Sequence, residues 1–336
     1  MKNFWQTLPR PVFALAPMAD VSDPAFRRII AKYSKSADVG RPQIVPFVMW
    51  TEFVSADGLA LAPEEGRQKL LKDLEYSEAE RPIVAQFFTG KPENMEKAAE
   101  LAHELGFDGV DINMGCPDRS IEKQGAGAAH MKDPARAQDV IYAALQGAQG
   151  LPVSVKTRLG YNKDELDTWL PKLLETKLSA ITIHARTRKE MSKVPARWER
   201  IRDAVRIRDT FVKGDPLHKT LILGNGDVKD MQDARHKVVE SGADGAMLGR
   251  AIFGAPWLFA EKIPSIQEKL NVMVEHTKLF EELLPHKSFA IMKKHYKAYV
   301  KDFPGAHELR AQLMEAENAD TVKKTVEAFC YTNVQL

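Results

Sequence analysis

The 336-residue chain is predicted to fold as an α/β protein, a (β/α)8 TIM barrel followed by a small all-helical C-terminal domain. Eight short apolar runs recur with helical patterns between them: Val12 to Ala16, Ile44 to Trp50, Ile83 to Phe88, Gly109 to Asn113, Val153 to Arg158, Ala180 to His184, Thr220 to Gly224 and Gly245 to Leu248. The runs are continuously apolar, which means burial on both faces, and strict alternation of strand and helix implies a parallel sheet. Polar residues gather at or just past the carboxyl ends of these runs: Met18 to Asp20, Gln86, Asn113 to Pro117, Lys156 to Arg158, His184, Asn225 to Asp227, and Gly249-Arg250. In a closed barrel that end carries the active site.

The first run is followed at once by Asp20 and the capping sequence Ser22-Asp23-Pro24, so it reads as a buried strand and not as a signal-peptide core. The second run ends before Thr51-Glu52. Pro92-Glu93-Asn94-Met95 leads into a helix through Lys97 to Leu105, and Asp133-Pro134 into one through Ala135 to Leu145, each with proline near the first turn. Arg197 to Lys219, with Lys213-Gly214-Asp215-Pro216 inside it, reads as a helix and then an extended surface loop. Past Gly254-Ala255-Pro256-Trp257 only helices are expected, with heptad-like apolar spacing in Ile266 to Leu284 and Leu309 to Phe329. The expected domains are therefore 1–258 and 259–336.

Composition narrows the class. A hydrophobic fraction of 44% and a charged fraction of 28% are those of a globular protein with a sizeable core. Net charge is only +2, so any nucleic-acid site must come from local clustering. The two cysteines, Cys116 and Cys330, have no metal-ligand spacing, which points to a reducing, cytoplasmic setting; a monomer is expected and no metal. No stretch approaches the ~20 consecutive apolar residues of a membrane helix.

Barrels that hold a phosphorylated cofactor use the loops after strands seven and eight. Here Gly224-Asn225-Gly226-Asp227 and Gly249-Arg250 stand at those ends, offering open backbone N–H groups and a guanidinium. A flavin also needs a cation near the ring edge where its reduced form carries negative charge. Lys156 closes an apolar run, an expensive place for a charge without a partner. Gln86 and His184 are candidate hydrogen-bond donors at neighbouring strand ends. Cys116 lies between Gly115 and Pro117 on a tight turn, whereas Cys330 sits in an apolar run as a structural cysteine does. With no base beside it in sequence, a thiol of ordinary pKa ~8.5 suits proton donation better than nucleophilic attack. A proton donor opposite a hydride donor is what reduction of a polarised C=C bond requires.

The ordered set Ala16-Pro17-Met18-Ala19-Asp20, Thr51-Glu52, Asn113-Met114-Gly115-Cys116-Pro117, Gly125-Ala126-Gly127-Ala128-Ala129, Val155-Lys156-Thr157-Arg158, His184-Ala185-Arg186-Thr187-Arg188, Asn225-Gly226-Asp227, Gly249-Arg250 and Lys293-Lys294-His295 resembles the FMN-dependent tRNA-dihydrouridine synthases over nearly the whole chain. The resemblance implies FMN at the barrel mouth, reduction by NADPH (or NADH), hydride transfer to uracil C6 and protonation of C5 by Cys116. It places Pro17, Met18 and Ala19 against the isoalloxazine, and Gln86, Lys156 and His184 at its polar edge and ribityl chain. It gives the phosphate to Asn225, Gly226, Asp227, Gly249 and Arg250, and the uracil or flavin to Asn113. Arg186, Lys293, Lys294, His295 and Lys297 are expected at the RNA. Because the target base must leave its stack, the helical domain is the expected tRNA clamp, its lysines interleaved with Tyr296 and Tyr299 as stacking surfaces. Departures from the family pattern are Ala185 for a usual glycine, His130 for an apolar residue, an unusual loop Lys189 to Pro195, and a long Arg206 to Lys219 stretch. A small-molecule FMN reductase shares the phosphate loops but needs no basic helical domain, and a tRNA-binding factor need not keep Cys116, Lys156 and Arg250 together.

Overall fold

The structure, a computed structural model, describes residues 3–35, 46–212 and 219–332. Eight parallel strands close a barrel in sequence order: β1 (Val12–Leu15), β2 (Phe47–Ser55), β3 (Ile83–Phe88), β4 (Gly109–Asn113), β5 (Val153–Arg158), β6 (Ala180–His184), β7 (Leu221–Asn225) and β8 (Gly245–Leu248). The α-helices among the described residues are α1 (Pro24–Lys35), α2 (Ala56–Leu61), α3 (Glu64–Asp73), α4 (Pro92–Glu104), α5 (Arg119–Glu122), α6 (Pro134–Gly147), α7 (Leu166–Leu174), α8 (Trp198–Val212), α9 (Met231–Ser241), α10 (Ile266–Leu283), α11 (Met292–Tyr299), α12 (Ala306–Glu315) and α13 (Ala319–Thr332). The fold is thus the barrel with C-terminal helices that the alternation predicts. Ile44, Val45 and the Lys213 to Pro216 segment lie outside the described residues.

One boundary differs from the sequence expectation for a physical reason. β2 runs on to Ser55, and Thr51-Glu52 sits inside it at a bulge between Trp50 and Phe53. Thr51 Oγ1 accepts the Gln86 N–H at 3.0 Å and donates to its neighbour's carbonyl, Glu52 O, at 2.8 Å, so two polar residues are absorbed without ending the strand.

The chain divides into two compact units. The first comprises Met1–Met18, Pro46–Leu74 and Arg81–Gly249 and holds the whole barrel. Its register aligns Asn113 with Lys156, Arg158 with His184, and His184 with Asn225, which brings the candidate residues to one end of the sheet. Toward the amino ends of the strands Trp5 packs with Val12, Val48 and Leu221, its ring 5.9 Å from that of Trp50. The β1–β8 seam closes over Gly245, where a Cβ would stand 2.0 Å from the Val12 carbonyl oxygen.

The second unit comprises Ala19–Val45, Glu75–Glu80 and Arg250–Leu336. The chain therefore changes unit at Gly249-Arg250, and α1 groups with the C-terminal helices because Ala25 and Ile29 share one apolar cluster with Leu270, Met273, Phe280 and Tyr296. Asp23 caps α1 by accepting the Phe26 N–H at 2.9 Å, as Ser22-Asp23-Pro24 predicts. Arg27, fully buried, donates to Glu80 at 2.7 Å and to the carbonyls of Ser22 and Glu75 at 2.7 and 2.5 Å, which recruits the Glu75–Glu80 segment.

Within that cluster His276 and His295 meet edge to face at 4.8 Å, with Phe26 and Phe253 against them. Burial pushes the His276 imidazole down to about 3 and His295 well below its ordinary value, the latter also by its neighbours His276 and Lys294. An unfolded imidazole takes up its proton near about 6.5. Full stability is therefore present above that pH and is lost as pH falls through it, by about 1.4 kcal/mol per pH unit for each imidazole. Calorimetry between pH 7.5 and 5 is expected to show a falling Tm; replacement of both histidines by phenylalanine should flatten that fall, and an unchanged slope would contradict it.

Candidate active site

The sulfur-bearing turn after β4 is held from several sides. Asn113 Oδ1 accepts the Gly115 and Cys116 N–H groups at 3.1 and 2.9 Å, folding the chain back sharply after the strand. Arg158 Nε donates to Gly115 O at 2.7 Å and Thr157 Oγ1 donates to Met114 O at 3.1 Å. Ala128 N–H donates to Cys116 O at 2.9 Å, and Gly127 (φ 58°) lies so close that its Cβ would be 2.8 Å from the same oxygen. Gly127 is thus required twice, for its backbone conformation and for the approach. The result is a half-buried Cys116 on a rigid support.

Burial raises the Cys116 thiol above its ordinary value, a backbone hydrogen bond from Asp118 and the charges of Arg158 and Lys156 pulling the other way. The net direction keeps the proton on sulfur at neutral pH, as an acid requires and a nucleophile does not.

Behind the turn lies a buried relay of polar groups. Asp111 accepts Ser154 Oγ at 2.5 Å and Gln86 Nε2 at 2.6 Å, while Gln86 Oε1 accepts Asn113 Nδ2 at 3.2 Å. Burial raises the Asp111 carboxyl to about 6, against those hydrogen bonds and the charge of Lys156. Gln86, expected at the flavin edge, is therefore the link between Asp111 and the residue that shapes the Cys116 turn. Lys156 is one strand over, its ammonium pushed down to about 8 by burial and by Arg158, with Asp111 and Cys116 opposing. The Lys156 ammonium itself forms no hydrogen bond or ion pair with a described residue, although the Lys156 carbonyl accepts the Met114 N–H at 2.8 Å. Burial likewise lowers Arg158, to about 10.

At the β6 and β7 ends, Arg186 Nη1 lies 3.1 Å from His184 Nε2 and Arg186 Nη2 donates to Asp227 Oδ2 at 2.5 Å. Arg186 Nε donates to Val194 O, and Asp227 also accepts the Ala196 N–H at 2.9 Å. Arg186, expected at the RNA, is instead 2% exposed and spends its guanidinium bracing the loop after β6. The Asp227 carboxylate, expected at a phosphate, is committed to that same brace. Asn225 Nδ2 donates to Met247 O at 2.8 Å, tying β7 to β8. Gly224 packs under Trp198, whose Nε1 donates to Gly226 O at 2.9 Å. Pro17 and Met18 stand half-buried beyond β1, and a Cβ on Gly249 would meet nothing nearer than the Met18 sulfur and Ala16 at 3.6 Å. Ala19 and Arg250 open segments of the second unit, Ala19 exposed and Arg250 starting a 3-10 turn.

In the second unit α11 buries Met292, His295, Tyr296 and Tyr299 and leaves Lys294 and Lys297 exposed, with Lys293 half-buried. His295, Tyr296 and Tyr299 are thus core residues and not an RNA-stacking surface. Their spacing of three and four residues is that of an inward helical stripe. One site residue, Asp111, escapes the sequence reading although its signal is present, a carboxylate between Val110 and Ile112 in a buried strand; Arg158 is placed at the strand end by the sequence but given no role there. His130 has a structural role: Nε2 bonds Thr89 O at 3.0 Å, and burial lowers it to about 4, so it stays neutral.

Comparison with known proteins identifies the family. The profile of the family described as Dihydrouridine synthase (Dus) matches residues 14–335. A probable tRNA-dihydrouridine synthase 2 of Bacillus subtilis (strain 168) is 39% identical over 334 residues, covering 98% of this chain and 97% of that one. A probable tRNA-dihydrouridine synthase of Staphylococcus epidermidis is 37% identical, covering 98% and 96%. Among solved structures, morphinone reductase superposes with a TM-score of 0.50 at 14% identity, over 75% of this chain and 85% of that one, which speaks for the fold alone. With a cysteine on a braced turn at the carboxyl end of an eight-stranded barrel and full-length relatives at this identity, the chain belongs to the dihydrouridine synthase family.

Proposed function

We propose that the protein reduces uridines in tRNA to 5,6-dihydrouridine, with FMN as hydride carrier and NADPH as electron source. The observation that carries this reading is the pairing of a protonated thiol on a rigid turn with a buried ammonium, Lys156, that has no hydrogen-bonded acid among the described residues. Such a cation fits the edge of a flavin ring that gains negative charge on reduction. Asn225, Gly226 and Gly249, at the ends of β7 and β8, fit a phosphate, with backbone N–H groups at glycines beside Ala16 and Met18. Pro17 and Met18 offer apolar surface to the ring.

FMN held there and reduced by NADPH would supply a hydride for C6 of the uracil. Cys116 holds the proton at Sγ for C5, and its sulfur, left as a thiolate, regains a proton from water. Asn113 fixes where that sulfur stands, and Asp111 and Gln86 fix Asn113. On α11, Lys293, Lys294 and Lys297 have no acidic partner among the described residues and suit binding to phosphates. Both cysteines are free, which fits a reducing cytoplasm.

The test is to incubate the purified, flavin-loaded protein with NADPH and unmodified tRNA transcripts and to read the nucleosides by mass spectrometry. A gain of two hydrogens on a uridine is expected. A flavoprotein that oxidises NADPH but leaves every uridine unchanged would overturn the reading.

A further inference from the structure

We propose that Asp111 is a positioning residue: its negative charge sets the direction of a hydrogen-bond chain through Gln86 and Asn113, and that direction supplies the Cys116 turn with its acceptor. This role rests on the reading of Cys116 as the proton donor and adds the group that decides how its turn is held.

Asp111 is buried in the middle of β4, where a charge is expensive. It stands in register with Gln86 of β3 and Ser154 of β5, so three adjacent strands bring the partners side by side. Asn113, two residues further along β4, shares its face of the sheet. Asp111 Oδ1 accepts the Ser154 hydroxyl at 2.5 Å and Oδ2 accepts Gln86 Nε2 at 2.6 Å. Both donors are neutral. Hydrogen bonding alone would be served by an asparagine of the same shape and no charge. What only the carboxylate brings is two acceptor oxygens and no donor. Burial raises it to about 6, which leaves it ionised at neutral pH.

A side-chain amide has a donor end and an acceptor end of nearly equal shape, so packing does not choose between them. An acceptor-only neighbour does. Facing Asp111, Gln86 turns Nε2 toward the carboxylate and leaves Oε1 for Asn113. Asn113 must then give Nδ2 to Gln86, at 3.2 Å, which leaves Oδ1 for the N–H groups of Gly115 and Cys116 at 3.1 and 2.9 Å. Gln86 is itself pinned, its own N–H donating to Thr51 Oγ1 at 3.0 Å. Asp111, Gln86, Ser154 and Asn113 are at most 6% exposed, so bulk water does not compensate an amide turned the wrong way. Reversal would set Asn113 Nδ2 against two N–H donors, and the turn would lose both bonds.

The test compares Asp111→Asn with the exchange variant Asp111→Asn/Asn113→Asp. The single variant offers Gln86 either a donor or an acceptor, so both directions of the chain become available. The exchange variant moves the carboxylate to the other end. There it accepts Gln86 Nε2 and the two turn N–H groups, Gln86 Oε1 accepts the amide at position 111, and that amide's oxygen accepts Ser154, so the chain runs backwards with every group paired. Alkylation of Cys116 by iodoacetamide from about pH 7 to 10, followed on the Cys116 peptide to separate it from Cys330, yields the thiol pKa and the limiting thiolate rate. Charge moves the first; Lys156, Arg158 and Asp118 face the thiol in all three proteins. How firmly the turn is held moves the second. In Asp111→Asn the limiting rate is expected to rise about fivefold or more, the order of one lost hydrogen bond, and in the exchange variant to return to within about twofold of wild type. In turnover, kcat of Asp111→Asn should fall about tenfold or more with KM for tRNA unchanged, because a misplaced acid costs rate and not binding. A wild-type limiting rate in Asp111→Asn, or an exchange variant that is insoluble or alkylates as fast as the single one, would overturn the proposal. A wild type inert on tRNA whose alkylation follows the expected pattern would overturn the activity reading alone.

Discussion

Cys116→Ala is expected to lower uridine reduction about 10²–10⁴-fold, the usual contribution of a positioned general acid. The flavin should still be reduced by NADPH, because the lost group acts only on the uracil. Rapid-mixing absorbance of the flavin, set beside mass spectrometry of the tRNA, separates the two half-reactions. Full tRNA activity in the variant would remove the assigned role. A pH profile carries the same information. The acid works only while protonated, so activity should hold at lower pH and fall as pH rises through the thiol pKa. Burial sets that descending limb above the range of an exposed thiol. Cys116→Ser, which keeps a proton of much higher pKa, should push the limb further up while lowering the rate.

The second large effect is expected at Lys156. Lys156→Met removes the ammonium at similar length, and flavin affinity should drop at least tenfold, with uridine reduction falling in step. In the wild-type apoprotein the ammonium is held at about 8 by burial, so its charge is present below that pH and lost above it. FMN binding measured by fluorescence quenching should therefore weaken as pH rises past about 8, and the methionine variant should show no such dependence. Equal affinity of the two proteins at pH 7 would show that the cation does not face the cofactor.

Much of the barrel is legible in the sequence because its determinants are local. Continuous apolar runs, prolines in first turns and the Asp133 cap are properties of a few neighbouring residues, and they give eight strands in order. Cys116 and Lys156 are legible for a related reason: each violates the pattern of its own segment. The brace formed by Arg186 and Asp227 is not legible, because a guanidinium at a strand end looks alike whether it meets a phosphate or a carboxylate 41 residues away. The burial of His295, Tyr296 and Tyr299 was readable from their spacing, but composition drew attention to the lysines between them. The place of α1 in the second unit had no local signal; its apolar face fits a barrel helix as well as a cluster built around α10.

That last feature bears on how the chain is made. Phe26, on α1, packs 5.7 Å from the ring of His276, on α10, roughly 250 residues later. At about 5–20 residues per second, a ribosome needs roughly 12–50 s between the two. Through that interval the apolar face of α1 has left the exit tunnel without its final neighbours, longer than most single-domain folding times. A stop codon placed just before α10 should therefore turn a stable enzyme into an aggregating barrel with one orphaned helix.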